Sequence, residues 1–314
     1  MTTNRLWRTL SGFNLSTRKW TQVNPRKARS QVPSNLLSLT SWNIDAFSPR
    51  AIARAKLILD HVLHESKPPD IIFLQEVTTA VRASLLQDAG VRGGYLVTDA
   101  EDQTAFENVP FATMTLLSRA RFAFGSDSTE ASEDDEVDGE GDLMIGRVSR
   151  MSLPSKYGRD ALCVDLIKPA ATGTSFRLIN VHLDSLGHTL HYRAQQLEIL
   201  ANVLRESGCG GGIIAGDFNA ISPEDEGLID MNQLQDAWTA LHGETGVEGA
   251  TWGVGAKRRD GLGPGRLDKV AILGSKAEAM DVLRPGSIEV PRPGQESIFL
   301  PWSDHCGLSC SFTF

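Results

Sequence analysis

Cysteine is scarce in this sequence, which has four among its 314 residues: Cys163, Cys209, Cys306 and Cys310. No two of them form a C-x-x-C pair, so neither a zinc site nor a disulfide framework is indicated. We therefore expect a protein of a reducing compartment. No apolar run reaches membrane-spanning length, and the N-terminus lacks the apolar stretch of a secretory signal.

An excess of positive charge is also missing, since the formal net charge is −8. A protein that coats duplex DNA normally presents a basic surface, so that class is disfavoured, although a local basic groove is compatible with this charge. The hydrophobic fraction of 41% is that of a globular protein with a large core. The length allows either two domains or one layered domain.

Acidic residues are absent from the first 44 positions. An acid-poor, Arg-rich start is typical of mitochondrial presequences, whereas Trp7, Phe13 and Trp20 favour a segment that packs on the domain. An arm that binds nucleic acid is a third interpretation. We predict a basic N-terminal arm over residues 1–34, packed or flexible, followed by one domain over residues 35–314.

Along the rest of the sequence, continuous apolar runs alternate with segments in which apolar residues recur at helical spacing. The runs at 71–74 and 213–215 show no alternation, which is typical of strands buried on both faces. Residues 126–142 are densely acidic without apolar periodicity and predict a mobile, solvated loop, and the proline-rich stretch 284–301 also predicts a loop. The whole predicts an α/β protein whose two sheets pack face to face, with helices outside.

Polar side chains gather where the predicted strands end. They are Asn43, Glu76, His182 with Asp184, Asp217 with Asn219, Asp268, and Asp304 with His305. Each alone has an ordinary explanation, such as a turn residue, a solvated carboxylate or a core histidine. Because sites tend to lie on the loops that follow rigid strands, the set together predicts a functional site.

These side chains stand in six pieces of sequence whose wording and order resemble the endonuclease/exonuclease/phosphatase superfamily, which includes exonuclease III-like and DNase I-like nucleases and sphingomyelinases. The pieces are SWNIDAF (41–47), LQEV (74–77), NVHLDS (180–185), GDFNA (216–220), RLDKV (266–270) and SDHCGL (303–308). The resemblance covers roughly residues 35–314. It implies a DNase I-like α/β fold, a four-layer αββα sandwich of two mixed β-sheets flanked by helices.

Within the superfamily, the first piece and the spacing from His182 to Arg193 and Gln196 resemble the 5′-tyrosyl-DNA phosphodiesterases. The sequence differs from that subgroup at Asp184, Gly187, Phe218 and Leu267. The resemblance therefore implies a phosphodiesterase of DNA ends, with a role in DNA repair. A general endo- or exonuclease and a small-molecule or lipid phosphoesterase stay open as alternatives, whereas a non-catalytic binding module is disfavoured by the complete set of polar pieces.

The same resemblance implies a metal-dependent phosphoric diester hydrolase in which water displaces the leaving oxygen in line. Hard oxygen ligands suit Mg²⁺, with Mn²⁺ as a substitute, and the predicted ligands are Glu76, Asn43 and Asp304. The predicted catalytic residues are Asp217 as the base for water, Asn219 beside it, His182 and His305 as donors to phosphate oxygens, and Asp268 as the partner that orients His305.

Ser185, Trp252 and Arg266 are the predicted substrate contacts. The basic run Lys257, Arg258 and Arg259 could extend such a cleft, because aromatic stacking and backbone neutralisation hold single strands. We expect DNA or another phosphodiester as the partner, a monomer, and no membrane span. The expected location is the nucleus or cytoplasm, with the mitochondrion open because of the N-terminal arm.

Overall fold

The structure is a computed structural model that describes residues 4–25, 35–126, 139–140, 143–167, 174–243, 247–254 and 263–314. Its strands are β1 Arg5–Arg8, β2 Leu10–Asn14, β3 Lys19–Pro25, β4 Leu36–Asn43, β5 Ile71–Val77, β6 Tyr95–Thr98, β7 Ala112–Ser118, β8 Phe122–Ser126, β9 Gly139–Glu140, β10 Leu143–Ser152, β11 Asp160–Ile167, β12 Ser175–His182, β13 Cys209–Asp217, β14 Gln235–Asp236, β15 Asp268–Leu273, β16 Lys276–Leu283, β17 Ser287–Arg292, β18 Gln295–Pro301 and β19 Gly307–Thr313.

The helices are α1 Ala51–Leu63, α2 Thr79–Leu85, α3 Ala89–Gly94, α4 Leu190–Leu204, α5 Pro223–Glu226, α6 Leu228–Met231 and α7 Ala237–His242. Thr78 caps α2 as its sequence position suggests, because its hydroxyl accepts a hydrogen bond from the Val81 amide. Among the described residues, no helix is both long and apolar enough to cross a membrane.

The strands form two mixed sheets. In sheet I the order is β16-β19-β4-β5-β7-β6-β2, and in sheet II it is β1-β10-β11-β12-β13-β15-β14. Most neighbours are antiparallel, but β4 runs parallel to β5 and β12 runs parallel to β13. Strand β3 pairs with β2 of sheet I and with β8, which in turn pairs with β10 of sheet II, so it joins the two sheets at one edge.

Three apolar clusters separate four layers. The first lies between the sheets and includes Leu39, Phe73, Val164, Leu178 and Ile213. The second packs α4 on the outer face of sheet II, and the third packs α1 and α2 on the outer face of sheet I. Alternation along the strands explains the layering, because Ile71 and Phe73 face inward while Ile72 and Leu74 face the helices. The predicted αββα sandwich of two mixed sheets is confirmed.

Two βαβ units carry the predicted site. The first unit is β4-α1-β5, and the second is β12-α4-β13; each helix crosses the outer face of its own sheet. Parallel strands joined by one helix end at the same edge of the sheet. Asn43 and Glu76 therefore emerge at the edge of sheet I, and His182 and Asp217 emerge at the edge of sheet II.

The described part of the predicted N-terminal arm belongs to the sandwich. Arg5 to Arg8 pair with β10, and Leu10 and Ser11 pair with β6. Trp20 donates its indole N–H to the Leu86 carbonyl. These contacts agree with the packed form of the arm, although its predicted end at residue 34 and most of the acidic loop 126–142 lie outside the described residues.

The prediction of a loop over residues 284–301 is wrong. Strands β17 and β18 form an antiparallel hairpin there, with Ile288 opposite Leu300 and Val290 opposite Ile298. The prolines misled the prediction because they are tolerated at strand edges and turns, and Pro293-Gly294 makes the turn here with a φ of 70° at the glycine.

Candidate active site

Asp217 is the centre of the site, at the end of β13. The strand end depends on Gly216, whose φ of 140° suits glycine and where a side chain would collide with the Val181 carbonyl. The carboxylate is 1% exposed. Its Oδ1 accepts the Asn219 amide N–H at 2.8 Å, and its Oδ2 accepts the Asn43 Nδ2–H at 2.9 Å. Burial raises the pKa of Asp217 to about 7.

His305 faces Asp217 from the loop before β19. Its Nε2 lies 3.8 Å from the Asp217 carboxylate, and its Nδ1 lies 2.8 Å from Asp268 Oδ2. Burial opposes the charged imidazolium, but the carboxylates of Asp268 and Asp217 outweigh it and raise the pKa of His305 to about 10. The ring is therefore protonated at neutral pH, with Nδ1 donating to Asp268 and the Nε2 proton directed toward the site.

His182 approaches the same carboxylate from the end of β12, with Nε2 at 3.4 Å from Asp217 Oδ2. Arg159 donates to this Nε2 at 3.1 Å, and an arginine can only donate. Burial, followed by the charge of Arg159, lowers the pKa of His182 well below its usual value. His182 is thus neutral with Nε2 as acceptor, so Arg159, which also lines the cavity, is the donor of this pair.

The ends of β4 and β5 supply a second group of oxygens. Asn43 Nδ2 bridges Asp217 and the Glu76 carboxylate, which it contacts at 3.3 Å. The other Glu76 oxygen accepts the Ala46 amide at 2.8 Å, and the backbone of Glu76 is left-handed with a φ of 58°. Burial, helped by the nearby Asp304 charge, raises the pKa of Glu76. Such strained backbone at a carboxylate is frequent at functional sites.

Oxygen donors of Asn43, Glu76 and Asp304 fit a hard divalent cation. The donor set is carboxylate and amide oxygen, which suits Mg²⁺. Burial raises the pKa of Glu76, and a cation bound beside it would favour the charged carboxylate. Trp252 fixes Asp304, donating its indole N–H to Oδ2 at 3.2 Å.

Asp217, Asp268 and His305 form another group that could hold a metal ion, with ligand atoms within 4.8 Å of one another. Two of its ligand atoms, His305 Nδ1 and Asp268 Oδ2, already share a hydrogen bond of 2.8 Å. The described residues therefore offer two candidate metal positions, this group and the oxygens of Asn43, Glu76 and Asp304.

A cavity of about 630 Å³ opens above these residues. Its floor includes Glu76, His182, Asp217, Asn219 and His305, and its walls are largely aromatic and aliphatic, from Phe47, Phe111, Tyr157, Leu186, Ile221 and Trp252. Phe111 stacks on the His182 ring with centroids 5.4 Å apart, and the guanidinium of Arg159 lies 5.2 Å above the Phe111 centroid. Among the described residues, the site therefore joins a charged floor to an apolar mouth that includes the guanidinium of Arg159.

Only two of the three predicted substrate contacts line the cavity. Ser185 and Trp252 line the cavity, and Trp252 is only half-buried rather than a core residue. Arg266 does not line it, because its guanidinium is bound to Asp236 at 2.8 Å and to Glu226 at 3.3 Å. The prediction of Arg266 as a substrate contact is thus at odds with its position. Lys257, Arg258 and Arg259 lie outside the described residues.

Several cavity residues were missed by the sequence reasoning, among them Phe111 and Arg159. Arg159 precedes β11 in a short loop and Phe111 precedes β7, so neither follows a strand as Asn43, Glu76, His182 and Asp217 do. No local pattern marks them. Asp184, which the pattern did mark, has a supporting role, because its buried carboxylate accepts hydrogen bonds from the Gln196 side chain and the Lys156 amide.

The model of the Endonuclease/Exonuclease/phosphatase family matches residues 40–305, most of the chain. The chain belongs to the endonuclease/exonuclease/phosphatase family. Members of this family are hydrolases that act on phosphodiester bonds. The matched range begins within β4 and ends at His305, so it contains five of the six pieces whole and Ser303, Asp304 and His305 of the sixth. No curated protein sequence matches the chain.

Solved structures of other proteins share the fold of this family member. The D. rerio TDP2 structure with a single-strand DNA product covers 90% of this chain and 100% of its own, with a TM-score of 0.63 and 19% identity. TDP2 from C. elegans covers 91% of this chain and 77% of its own, with a TM-score of 0.62 and 19% identity. The human Nocturnin catalytic domain covers 93% and 97%, with a TM-score of 0.55 and 20% identity. At such identities the likeness establishes the fold.

Proposed function

We propose that this protein is a Mg²⁺-dependent phosphodiesterase that cleaves its substrate by in-line attack of water, and that the substrate is a DNA end. One observation carries the proposal. A buried carboxylate, Asp217, meets the imidazole of His305, the amide of Asn43 and the Arg159–His182 pair at the floor of one cavity. Phosphodiester hydrolysis needs a general base, hydrogen-bond donors to the phosphate oxygens and ligands for a cation, and these groups lie within a few ångströms of one another here.

Asp217 is the general base in this proposal. Burial raises its pKa to about 7, so its carboxylate is a stronger base than an exposed aspartate near neutral pH. The Asn219 side chain is held by its Nδ2–H to the Leu183 carbonyl at 2.9 Å, which leaves its Oδ1 to orient the water. The two residues thus take and aim the attacking oxygen.

Phosphate oxygens are held by His305 and Arg159. The protonated His305 donates from Nε2, and Asp268 keeps the ring oriented through Nδ1. Arg159 supplies permanent charge on the opposite side, with neutral His182 fixing its direction. Asn43, Glu76 and Asp304 would hold Mg²⁺, which when bound would offset charge on the phosphate and the leaving oxygen.

The walls of the cavity support a nucleic acid end as substrate. Phe111, Tyr157 and Trp252 offer ring faces for stacking, and Arg159 adds a cation beside them. Stacking on aromatic rings combined with backbone neutralisation holds single strands without sequence preference. The TDP2 structure from D. rerio contains a single-strand DNA product, and its shared fold adds support for this substrate class.

A lipid or small aryl phosphodiester is the second candidate. Phe47 is 75% exposed and Leu186 is 54% exposed at the cavity mouth, and such exposed apolar side chains suit an apolar substrate. The two candidates differ in charge. Binding of DNA should weaken steeply with salt, whereas binding of a small or lipid phosphodiester should respond little.

Product analysis on three substrates tests the proposal: 5′-tyrosyl DNA, duplex with an abasic site, and sphingomyelin, each with Mg²⁺ and with EDTA. We expect cleavage of the tyrosyl-DNA end to release tyrosine and leave a 5′-phosphate on the DNA, and to do so only when Mg²⁺ is present. Cleavage of sphingomyelin alone would select the second candidate. Full activity in EDTA, or no cleavage of any phosphodiester, would refute the proposed chemistry.

A further inference from the structure

We propose that Arg54, a residue of α1 outside the cavity, is a positioning residue that holds all three proposed Mg²⁺ ligands in register. The inference rests on the proposed function above. Arg54 is fully buried, at 0% exposure. A guanidinium has five N–H donors, and each of them has a backbone carbonyl acceptor here. The acceptors are the carbonyls of Ile44, Asp45, Ser48, Pro49 and Trp302, at 2.6 to 3.3 Å.

Four of these carbonyls belong to the loop that follows β4, residues 44–49. The shape of this loop sets two ligands. The Ala46 amide donates to the Glu76 carboxylate at 2.8 Å, and the Asp45 amide donates to Asn43 Oδ1 at 3.1 Å. Arg54 therefore acts on Glu76 and Asn43 through the backbone it organises, without touching either side chain.

The fifth carbonyl, that of Trp302, lies in the segment that carries the third ligand. Trp302 is two residues before Asp304, and Arg54 contacts its carbonyl at 2.7 Å. The Ser303 hydroxyl reinforces the link, because it donates to the Asn43 carbonyl at 2.6 Å and accepts the His305 amide at 3.0 Å. One guanidinium thus ties the loop after β4 to the loop before β19.

A second buried arginine provides a matched comparison. Arg193 of α4 is 1% exposed and holds the other βαβ unit, donating to both Asp225 carboxylate oxygens at 2.6 and 2.8 Å and to the Asp184 and Leu186 carbonyls. None of these acceptors contacts a proposed Mg²⁺ ligand. Replacing either arginine by lysine leaves three donors where five existed, so both variants lose a similar number of buried hydrogen bonds.

The test is the affinity for Mn²⁺ measured without substrate, from the electron paramagnetic resonance signal of free Mn²⁺. Altering the residues that orient metal ligands typically weakens binding 10- to 100-fold, so we expect Arg54→Lys to raise the Kd for Mn²⁺ by about tenfold or more. Arg193→Lys should change this Kd by less than about twofold. In steady-state assays, Arg54→Lys should raise the Mg²⁺ concentration needed for half-maximal rate and leave the substrate KM at saturating Mg²⁺ unchanged.

Ser303→Ala is a smaller change in the link between the loop after β4 and the loop before β19. It replaces Arg54→Lys in the test if circular dichroism shows that Arg54→Lys does not fold. It should weaken Mn²⁺ binding in the same direction. Equal weakening by Arg54→Lys and Arg193→Lys would overturn the inference, because general loosening would then explain the loss. Wild-type affinity in both Arg54→Lys and Ser303→Ala would also overturn it. Absence of Mn²⁺ binding by the wild-type protein would overturn the proposed function together with this inference.

Discussion

The two βαβ units contain the same parts, yet they expose them to different degrees. Each has a parallel strand pair, a covering helix, a fully buried arginine on that helix and a carboxylate at a strand end. In the first unit the carboxylate of Glu76 is half-buried and bound by an amide N–H. In the second, Asp217 is 1% exposed and lies against two histidines.

The difference in burial between Glu76 and Asp217 suits the two carboxylates to different roles in the proposed reaction. A half-exposed carboxylate beside other oxygens keeps room for a hydrated cation, which Mg²⁺ requires because it retains several waters. A fully buried carboxylate gains basicity from desolvation, which suits proton transfer. Under the proposed function, one architecture used twice would thus yield a cation-binding side and a water-activating side.

The largest expected effect separates the two carboxylates. Asp217→Asn should lower kcat by at least ~10²-fold, because it removes the general base while keeping the shape of the side chain. Raising Mg²⁺ should not restore this loss. Glu76→Gln should instead show a loss that high Mg²⁺ partly restores. Steady-state rates over a Mg²⁺ series measure both. If both variants respond alike to Mg²⁺, the division between the units is wrong.

A pH profile tests the buried state of Asp217. Its pKa is raised to about 7, so the carboxyl takes up a proton as the pH falls below 7 and can no longer accept one from water. We expect kcat/KM to fall by about tenfold per pH unit on the acid side of 7 and to level off above it. The residual kcat/KM of Asp217→Asn should not show this fall below pH 7. A profile that stays flat between pH 5 and 8 would contradict the assignment of the base.

A smaller effect is expected at the cavity wall. Arg159→Met keeps most of the side-chain stem over Phe111 and removes the charge. Loss of a charge-assisted contact to phosphate, on the order of 1.5–3 kcal/mol, should raise the substrate KM by at least about tenfold. Arg147→Met is a control, because Arg147 is exposed and lies 5.2 Å over the Trp7 ring, away from the active-site cavity. Equal KM values in the two variants would remove Arg159 from substrate binding.

The sequence predicted the floor of the site well because strand ends fix position. A polar residue directly after a buried strand can only lie at one edge of the sheet, so Asn43, Glu76, His182 and Asp217 could be grouped before any coordinates. The four-layer fold followed from the same apolar runs. The pairing of Asp268 with His305 was also predicted, but the distance of 2.8 Å between Asp268 Oδ2 and His305 Nδ1 could not be, because the two residues stand in different pieces of the chain.

Apart from Trp252, the walls could not be predicted, because they depend on how loops fold back. Phe111 and Arg159 meet only after β7 and β11 are placed in different sheets. The prediction of Arg266 as a substrate contact did not account for the partners of its guanidinium. Asp236 and Glu226 bind this guanidinium, and no sequence pattern links them to Arg266. The hairpin of β17 and β18 was missed because proline was given more weight than the apolar alternation around it.

The pairing of β4 with β19 has a consequence for synthesis on the ribosome. Ser41 pairs with Leu308, and the Trp42 indole donates to the His305 carbonyl 263 residues later, so the first strand of the site needs partners that are synthesised much later. Such non-local pairing slows folding. While the chain grows, β4 offers an unpaired edge that can recruit other strands. A nascent chain that has not yet reached β19 therefore has neither a closed sheet I nor His305 opposite Asp217.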